Sequence, residues 1–183
     1  MIKLVTILAF ALILTACSNG GDSTTDYSPS ELALVPFSVS FPFQFSAEDL
    51  HGNSVTHSSL GEKELFFVYF WTTWCPACVN GMPGLVELAN EYSDRIGFMT
   101  LLGDFDTNRE VAITITEASD APFVTVDARH SDFVQLMQLV NSGVVPTSVI
   151  IDGYGNVVGE QIIGSRTDVF RTAIEDALAG YGR

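Results

Sequence analysis

At 183 residues the chain is long enough for one domain with its own core and short for two. Its 22 acidic side chains against 8 basic ones give a formal net charge of −14. That balance repels phosphate backbones and anionic headgroups, so it excludes nucleic-acid binding and electrostatic membrane docking while leaving a basic protein partner open.

The first elements are not part of a fold. Met1-Ile2-Lys3 is a short basic start, and residues 4–14 are an almost unbroken apolar run, too short for a finished membrane helix. Residues 1–16 therefore read as an export signal, to be set aside. Leu14-Thr15-Ala16-Cys17 resembles the bacterial lipobox, in which cleavage precedes the cysteine and the cysteine takes a lipid. That likeness makes residues 1–16 a lipoprotein signal peptide and Cys17 the lipidated residue, holding the mature protein to a membrane of the bacterial cell envelope. Residues 17–35 are mostly Gly, Ser, Thr, Asp and Pro with few large apolar side chains, a flexible tether. The domain is expected over 36–183.

Residues 37–45 alternate apolar and polar, as a half-buried strand does, with Pro42 favouring an edge. Residues 46–53 read as a turn and 54–56 as a short returning strand. Leu65–Trp71 is an apolar, aromatic strand, followed by Thr72-Thr73-Trp74-Cys75-Pro76-Ala77-Cys78. From Pro76 to about residue 93, Met82, Leu85, Val86, Leu88, Ala89 and Tyr92 recur at helical spacing, with a kink expected at Pro83. Ile96–Leu102 is a second buried strand. Thr107-Asn108-Arg109-Glu110 fits a capping box, predicting a helix over 107–119. A short strand over 123–126 follows, then a helix over 131–140 with Phe133, Leu136, Met137 and Val140 on one face. Strands over 148–152 and 157–163 flank a hairpin turn at Gly153-Tyr154-Gly155-Asn156, with Gly159 a candidate bulge. A last helix over 167–179 is capped by Thr167 and ended by Gly180. Strands alternating with helices, then a hairpin and a closing helix, make an α/β fold with a central mixed sheet.

The chemistry concentrates where the first long strand hands over to a helix. The first turn of a helix presents unpaired N–H groups and the positive end of the dipole, and both favour a thiolate, the reactive form of cysteine. Pro76 suits that turn because its missing N–H costs nothing there. Cys75 reads as the exposed attacking thiol and Cys78, one turn inward, as the resolving one. Two plainer readings stand beside this one. Half a zinc site would need a second Cys or His pair, and Cys17, His51, His57 and His130 are scattered, so no metal is expected. A purely structural disulfide closing so small a loop would stabilise little. Downstream, Val145-Pro146-Thr147 puts a proline immediately before a buried strand, where it would remove a ladder hydrogen bond. A cis bond would account for that, and so would a trans proline at the strand edge.

Trp74-Cys75-Pro76-Ala77-Cys78, Val145-Pro146-Thr147, Asp152-Gly153-Tyr154-Gly155-Asn156 and Gly164 together resemble the thioredoxin fold over about residues 37–181. Phe43-Gln44-Phe45, Asp49-Leu50-His51-Gly52-Asn53, Phe70-Trp71-Thr72-Thr73-Trp74 and Met82-Pro83 are similar, more narrowly, to the TlpA/ResA-like group of membrane-tethered bacterial thiol–disulfide oxidoreductases. That resemblance implies a thioredoxin-like domain with an N-terminal β extension and an active site of Cys75 and Cys78 supported by Trp74, Pro76, Ala77, Val145 and Pro146. Pro146 would be a cis-proline facing the disulfide, and the Val145 backbone would bind the partner's chain. It implies no metal or organic cofactor. The partners it implies are disulfide-containing exported proteins such as apocytochromes c and a CcdA/DsbD-type membrane electron donor. Two positions depart from the pattern: Gly81 stands where many group members carry a glutamate, and Tyr69 where cytoplasmic thioredoxins carry a buried aspartate. The alternatives to a reductase are a dithiol oxidase, a thiol peroxidase, for which Trp74-Cys75-Pro76-Ala77-Cys78 is a poor match, and a copper-binding module recruiting His130.

Overall fold

The computed structural model describes residues 44–140 and 143–181. The signal, the lipobox cysteine, the tether and most of the strand expected over 37–45 lie outside them. The elements run β1 (Ser46–Glu48), β2 (Ser54–Thr56), β3 (Leu65–Trp71), α1 (Pro76–Glu91), β4 (Ile96–Leu102), α2 (Phe105–Ala118), β5 (Val124–Asp127), α3 (Val134–Val140), β6 (Thr147–Asp152), β7 (Val157–Ile163) and α4 (Thr167–Tyr181). Five strands form one sheet in the order β5-β4-β3-β6-β7, while β1 and β2 pair separately. β3, β4 and β5 are parallel, and β6 runs antiparallel to both β3 and β7. This is the mixed α/β thioredoxin-like fold expected.

β3 is central, and its burial on both faces matches its unbroken apolar run. On one face Leu65, Phe67, Tyr69 and Trp71 meet Met82, Leu85 and Leu88 of α1, Phe105 and Ala112 of α2, and Phe170 and Ile174 of α4. On the other face Val68, Met99, Val149 and Ile151 pack with Phe133, Leu136 and Val140, and with Phe45, Ala47 and Val55 of the β1–β2 hairpin. Trp71 Nε1 donates to Thr100 Oγ1 (3.1 Å), which lies 2.7 Å from Thr125 Oγ1, so one buried hydroxyl chain ties β3, β4 and β5 together.

Several boundaries differ from the sequence-based expectation for local reasons. β1 lies at Ser46–Glu48, within the segment expected to be turn, and the turn contracts to the residues around Asp49. The Asp49 carboxylate accepts from the backbone N–H of His51 and Asn53 and from Asn53 Nδ2, which closes the turn in so few residues that three more can pair. α2 begins at Phe105 behind Asp104, not at Thr107, and Asn108 breaks its helical φ/ψ. Thr107 Oγ1 donates to the Asp104 carbonyl rather than capping a later start. The helix expected from residue 131 opens as a 3₁₀ turn (Ser131–Phe133) before α3. Gly180 lies inside α4, and Thr167 is its first residue. Gly159 does mark a bulge: it has φ +81°, and the β6–β7 register breaks there, with Ser148 facing Ile162 but Ile150 facing Val158.

Pro83 lies within α1, which runs through it. The same helix carries two glycines that permit close contact. A Cβ on Gly84 would sit 1.9 Å from Thr167 Oγ1, and one on Gly81 would sit 2.4 Å from Ser165 Cβ, so the start of α4 and the residues before it press directly on the α1 backbone. Arg171 of α4 pairs with Glu87 and Glu91 across the same contact.

Candidate active site

The cysteines stand at the carboxyl end of β3, where the chain turns into α1. Cys75 is the N-cap residue with extended backbone (φ −96°, ψ 102°), and Pro76 follows at the first helical position. The Cys75 backbone N–H donates to the Thr72 carbonyl, and the Cys75 carbonyl accepts from Cys78 and Val79, so the four-residue loop is closed by main-chain bonds. Cys75 and Cys78 are joined by a disulfide, with Cα atoms 5.3 Å apart. The Cys78 N–H also points at Cys75 Sγ, 3.2 Å away. This is the capping arrangement the sequence predicts: a donor and the helix N-terminus aimed at the first sulfur, which favour its thiolate once the bond is reduced.

The two sulfurs differ in access less than expected. Cys75 is 5 % exposed and Cys78 0 %. Cys75 is thus the outer of the pair, but it is nearly covered rather than an exposed thiol. Part of the cover is the segment before β6, whose Val145 carbonyl oxygen lies 3.7 Å from Cys75 Sγ. The Val145–Pro146 bond is cis. Pro146 is buried and Val145 half-buried. The Gly164 N–H donates to the Pro146 carbonyl (2.9 Å), and Thr147 Oγ1 donates to the Val144 carbonyl (2.6 Å), so the segment is held from both sides. Trp74 projects outward, 67 % exposed, and Pro76 and Ala77 are exposed too. All seven residues read as a site from the sequence therefore fall at one end of the sheet. His130 accepts from the Asp132 N–H and caps the 3₁₀ turn before α3.

Three neighbours complete the site: Asp104 and Ser165 are additions that the sequence reading lacks, and Tyr69 is marked there only as a departure from the thioredoxin pattern. The Asp104 carboxylate accepts from Thr73 N (3.1 Å), Thr73 Oγ1 (2.5 Å) and Asn108 Nδ2 (2.9 Å). It pins the loop carrying Trp74 and Cys75 to the start of α2. An aspartate just beyond the end of a parallel strand is the available signal. The second neighbour is Tyr69, fully buried, whose hydroxyl donates to the Cys78 carbonyl at 3.1 Å. Burial pushes its phenol well above the ordinary tyrosine range, so it stays protonated. The third is Ser165, whose Oγ would lie 3.1 Å from a Cβ on Gly81, with the Tyr69 hydroxyl 3.3 Å from the same point. The site also holds two buried hydroxyls, Thr72 Oγ1 and Ser148 Oγ, without a hydrogen-bond partner. Each costs about 1–3 kcal/mol.

A thiolate-favouring helix start, a second thiol one turn inward and an apolar exposed residue beside them suit exchange with a disulfide on another chain. The relatives of this chain agree. The AhpC/TSA family signature matches residues 40–159. A protein of Bacillus cereus named thiol-disulfide oxidoreductase ResA is 32% identical over 138 residues, covering 75% of this chain and 72% of that protein. The sporulation thiol-disulfide oxidoreductase A of Bacillus subtilis is 24% identical over 119 residues, covering 63% and 68%. The crystal structure of a thioredoxin-family thiol:disulfide interchange protein from Chlorobium tepidum superposes with a TM-score of 0.62 at 24% identity, over 75% of this chain and 94% of that one. The chain belongs to the AhpC/TSA family and, within the thioredoxin fold, to its thiol–disulfide oxidoreductases of the ResA type.

Proposed function

We propose that the protein reduces disulfides of exported proteins outside the cytoplasm, apocytochrome c being one kind of client that the likeness to the TlpA/ResA-like group implies, with Cys75 attacking and Cys78 resolving. The observation that carries the reading is the position of Cys75: outer member of the pair, capping α1, with Cys78 N–H on its sulfur and the Val145 carbonyl beside it. The Cys75 thiolate attacks one client sulfur, and the other client sulfur leaves with the electron pair. Cys78 then attacks Cys75 Sγ, releasing the reduced client and closing the disulfide. Trp74, Pro76 and Ala77 form the apolar rim against which the client rests, and the backbone of Val145, presented by Pro146, lines its chain. A CcdA/DsbD-type membrane donor returns two electrons to the pair.

In this reading lipid on Cys17 tethers the domain to the bacterial cell envelope, facing the periplasm or the outer side. No helix among the described residues is long and apolar enough to cross a membrane. Mass spectrometry of membrane-extracted protein tests the anchor: an unmodified Cys17 overturns it.

Two measurements test the chemistry. Full-length Cys78→Ser should accumulate mixed disulfides with client proteins and Cys75→Ser should not; full activity of Cys75→Ser overturns the assignment. The reduction potential of the Cys75–Cys78 couple sets the direction. A value near about −270 mV supports the reductase, whereas one near about −120 mV makes the pair a disulfide donor.

A further inference from the structure

In the exchange proposed above, on which this inference rests, Cys75 meets a client disulfide with its sulfur held at the head of α1. A turn holds it there as well as the helix. The Cys75 N–H donates to the Thr72 carbonyl (3.3 Å), so Thr72–Cys75 is a β-turn with Thr73 and the exposed Trp74 at its centre. The corner between β4 and α2 grips this turn residue by residue. The Gly103 N–H donates to the Trp71 carbonyl (2.9 Å). A Cβ on Gly103 would sit 3.1 Å from Thr72 Cγ2, so the corner's backbone lies against Thr72. The Asp104 carboxylate then accepts from the Thr73 N–H (3.1 Å) and from the Thr73 hydroxyl (2.5 Å). Trp71, Thr72 and Thr73, the residues that lead into Trp74 and Cys75, are each in contact with Gly103 or Asp104.

The grip works against the helix that supplies it. Asp104 is the N-cap residue of α2, a position from which an aspartate side chain ordinarily accepts from the second or third helical N–H. Its carboxylate makes no such bond. Asn108, in the next turn, leaves helical φ/ψ (−134°, 26°), and its Nδ2 donates to Asp104 Oδ2 (2.9 Å). In the gripped turn Thr72 Oγ1 is buried without a hydrogen-bond partner among the described residues. A forgone cap, an irregular helical turn and an orphaned hydroxyl meet at one corner, and local cost of this kind gathers where a site is held in place for function. The charge of Asp104 does not explain the arrangement. The donors on its oxygens, from Thr73 and Asn108, are uncharged. The arginines of α2 and of the loop after β5 face other groups: Arg109 donates to the Asp49 and Leu50 carbonyls, and Arg129 pairs with Asp106 and Asp127. A negative charge beside the turn disfavours a thiolate at Cys75, so what Asp104 contributes is position.

We propose that Asp104 is a positioning residue for the exchange reaction: by holding Thr73 it fixes the Thr72–Cys75 turn, which keeps Cys75 Sγ against the Cys78 N–H and presents Trp74 to the client. It acts through Thr73 and not on the sulfurs themselves.

The test takes reduced full-length protein and makes two measurements. One follows alkylation of Cys75 by iodoacetamide across pH, read by peptide mass mapping; the other times mixed-disulfide formation with a disulfide-bonded peptide. Asp104→Ala should slow mixed-disulfide formation at neutral pH about tenfold, the scale on which small misplacements of a reacting group act. It should also move the alkylation profile to higher pH, because a loosened turn takes the sulfur away from the Cys78 N–H. Loss of a negative charge alone would move the profile the other way. Asp104→Asn keeps one acceptor and Thr73→Val removes only the hydroxyl, so both should shift the two readings in the same direction and less far. Asp49→Asn weakens the turn between β1 and β2 without touching this corner and should leave both readings as in wild type. An alkylation profile unmoved or lowered in Asp104→Ala overturns the proposal, and Thr73→Val is judged by the same criterion should Asp104→Ala not fold. Equal slowing in Asp49→Asn overturns it too, since general loosening produces that result. A wild-type protein that never forms the mixed disulfide defeats the reductase reading, while the alkylation profiles, which need no client, still judge the role of Asp104.

Discussion

Gly81 offers the sharpest test of the packing behind the cysteines. Carbon atoms at ease stand about 3.5–4.0 Å apart. A Cβ at position 81 would stand 2.4 Å from Ser165 Cβ and 3.1 Å from its Oγ, an overlap of more than an ångström with a neighbour on a short, braced segment. Such overpacking costs about 1–3 kcal/mol. Alanine is also the better helix former, by about 1 kcal/mol over glycine. Gly81→Ala should therefore lose about 0–2 kcal/mol net, where propensity alone predicts a gain. The decisive measurement is a double-mutant cycle with Ser165→Gly, read from urea unfolding of the full-length oxidised protein. With Ser165 shortened, Gly81→Ala should recover its helical gain, giving a coupling of about 1–3 kcal/mol. If Gly81→Ala stabilises by about 1 kcal/mol in both backgrounds, Ser165 does not fill that volume and the account of the glycine is wrong.

Other contacts predict distinct outcomes. Asp104→Ala removes the acceptor of the Thr73 N–H and hydroxyl and should cost about 1–3 kcal/mol in urea unfolding, with Asp104→Asn retaining part of it. Because those bonds pin the loop before Cys75, limited proteolysis between β3 and α1 should also quicken in Asp104→Ala; an unchanged cleavage rate would show the loop is held otherwise. Thr100→Val strips the acceptor from the buried Trp71 Nε1 and the partner from Thr125, and thermal melts should show a loss of about 1–3 kcal/mol. Burial works against the Asp49 charge, but hydrogen bonds from Asn53 and His51 outweigh it and hold the carboxyl below the ordinary aspartate range. A carboxyl depressed in the folded state adds stability above its unfolded value, near pH 3.8, and that stability is lost as pH falls through the folded value. Asp49→Asn should thus be less stable than wild type near neutral pH and converge on it in acid below about pH 4; a constant difference across that range would refute the linkage.

How much of the fold and site is legible in the sequence depends on how far apart in the chain the cause lies. β3 and β4 fall on the residues their apolar runs mark, because burial on both faces leaves a continuous signal. Cys75 at the head of α1 follows from local chemistry, a thiol and a proline at the two positions where a helix accepts them. The start of α2 is misleading in the sequence because Thr107 and Glu110 imitate a capping box, while the residue at the N-cap, Asp104, has its carboxylate turned to Thr73 on the neighbouring loop. The residues around Val145–Pro146 allow either isomer, and the structure has the cis form. Contacts such as Ser165 on Gly81 join positions with no shared periodicity, so no reading of the sequence brings them together.

The topology accounts for the convergence. β3 and β4 run parallel, so the loop after β3, carrying Trp74 and Cys75, and the loop after β4, carrying Asp104, leave the sheet at the same end. β6 runs the other way, so its beginning, with Val145 and Pro146, arrives at that end, and β7 delivers Gly164 and Ser165 there as it finishes. Three segments distant in sequence are thus brought to the loop of Cys75 and Cys78 by strand direction alone. Each then adds one function: Asp104 fixes the loop, Val145 borders the outer sulfur, and Ser165 with Tyr69 reaches the inner one's helix turn. The consequence is a division of the site: the outer cysteine lies beside the exposed Trp74, Pro76 and Ala77, and the inner one is fully buried, its helix turn packed against Tyr69 and Ser165. Changes at Trp74, which is largely exposed, should therefore slow mixed-disulfide formation with a disulfide-bonded peptide and leave urea stability near that of wild type, whereas changes at the buried Tyr69 should lower stability; a Trp74→Ala protein destabilised as much as Tyr69→Phe would contradict the separation the sheet imposes.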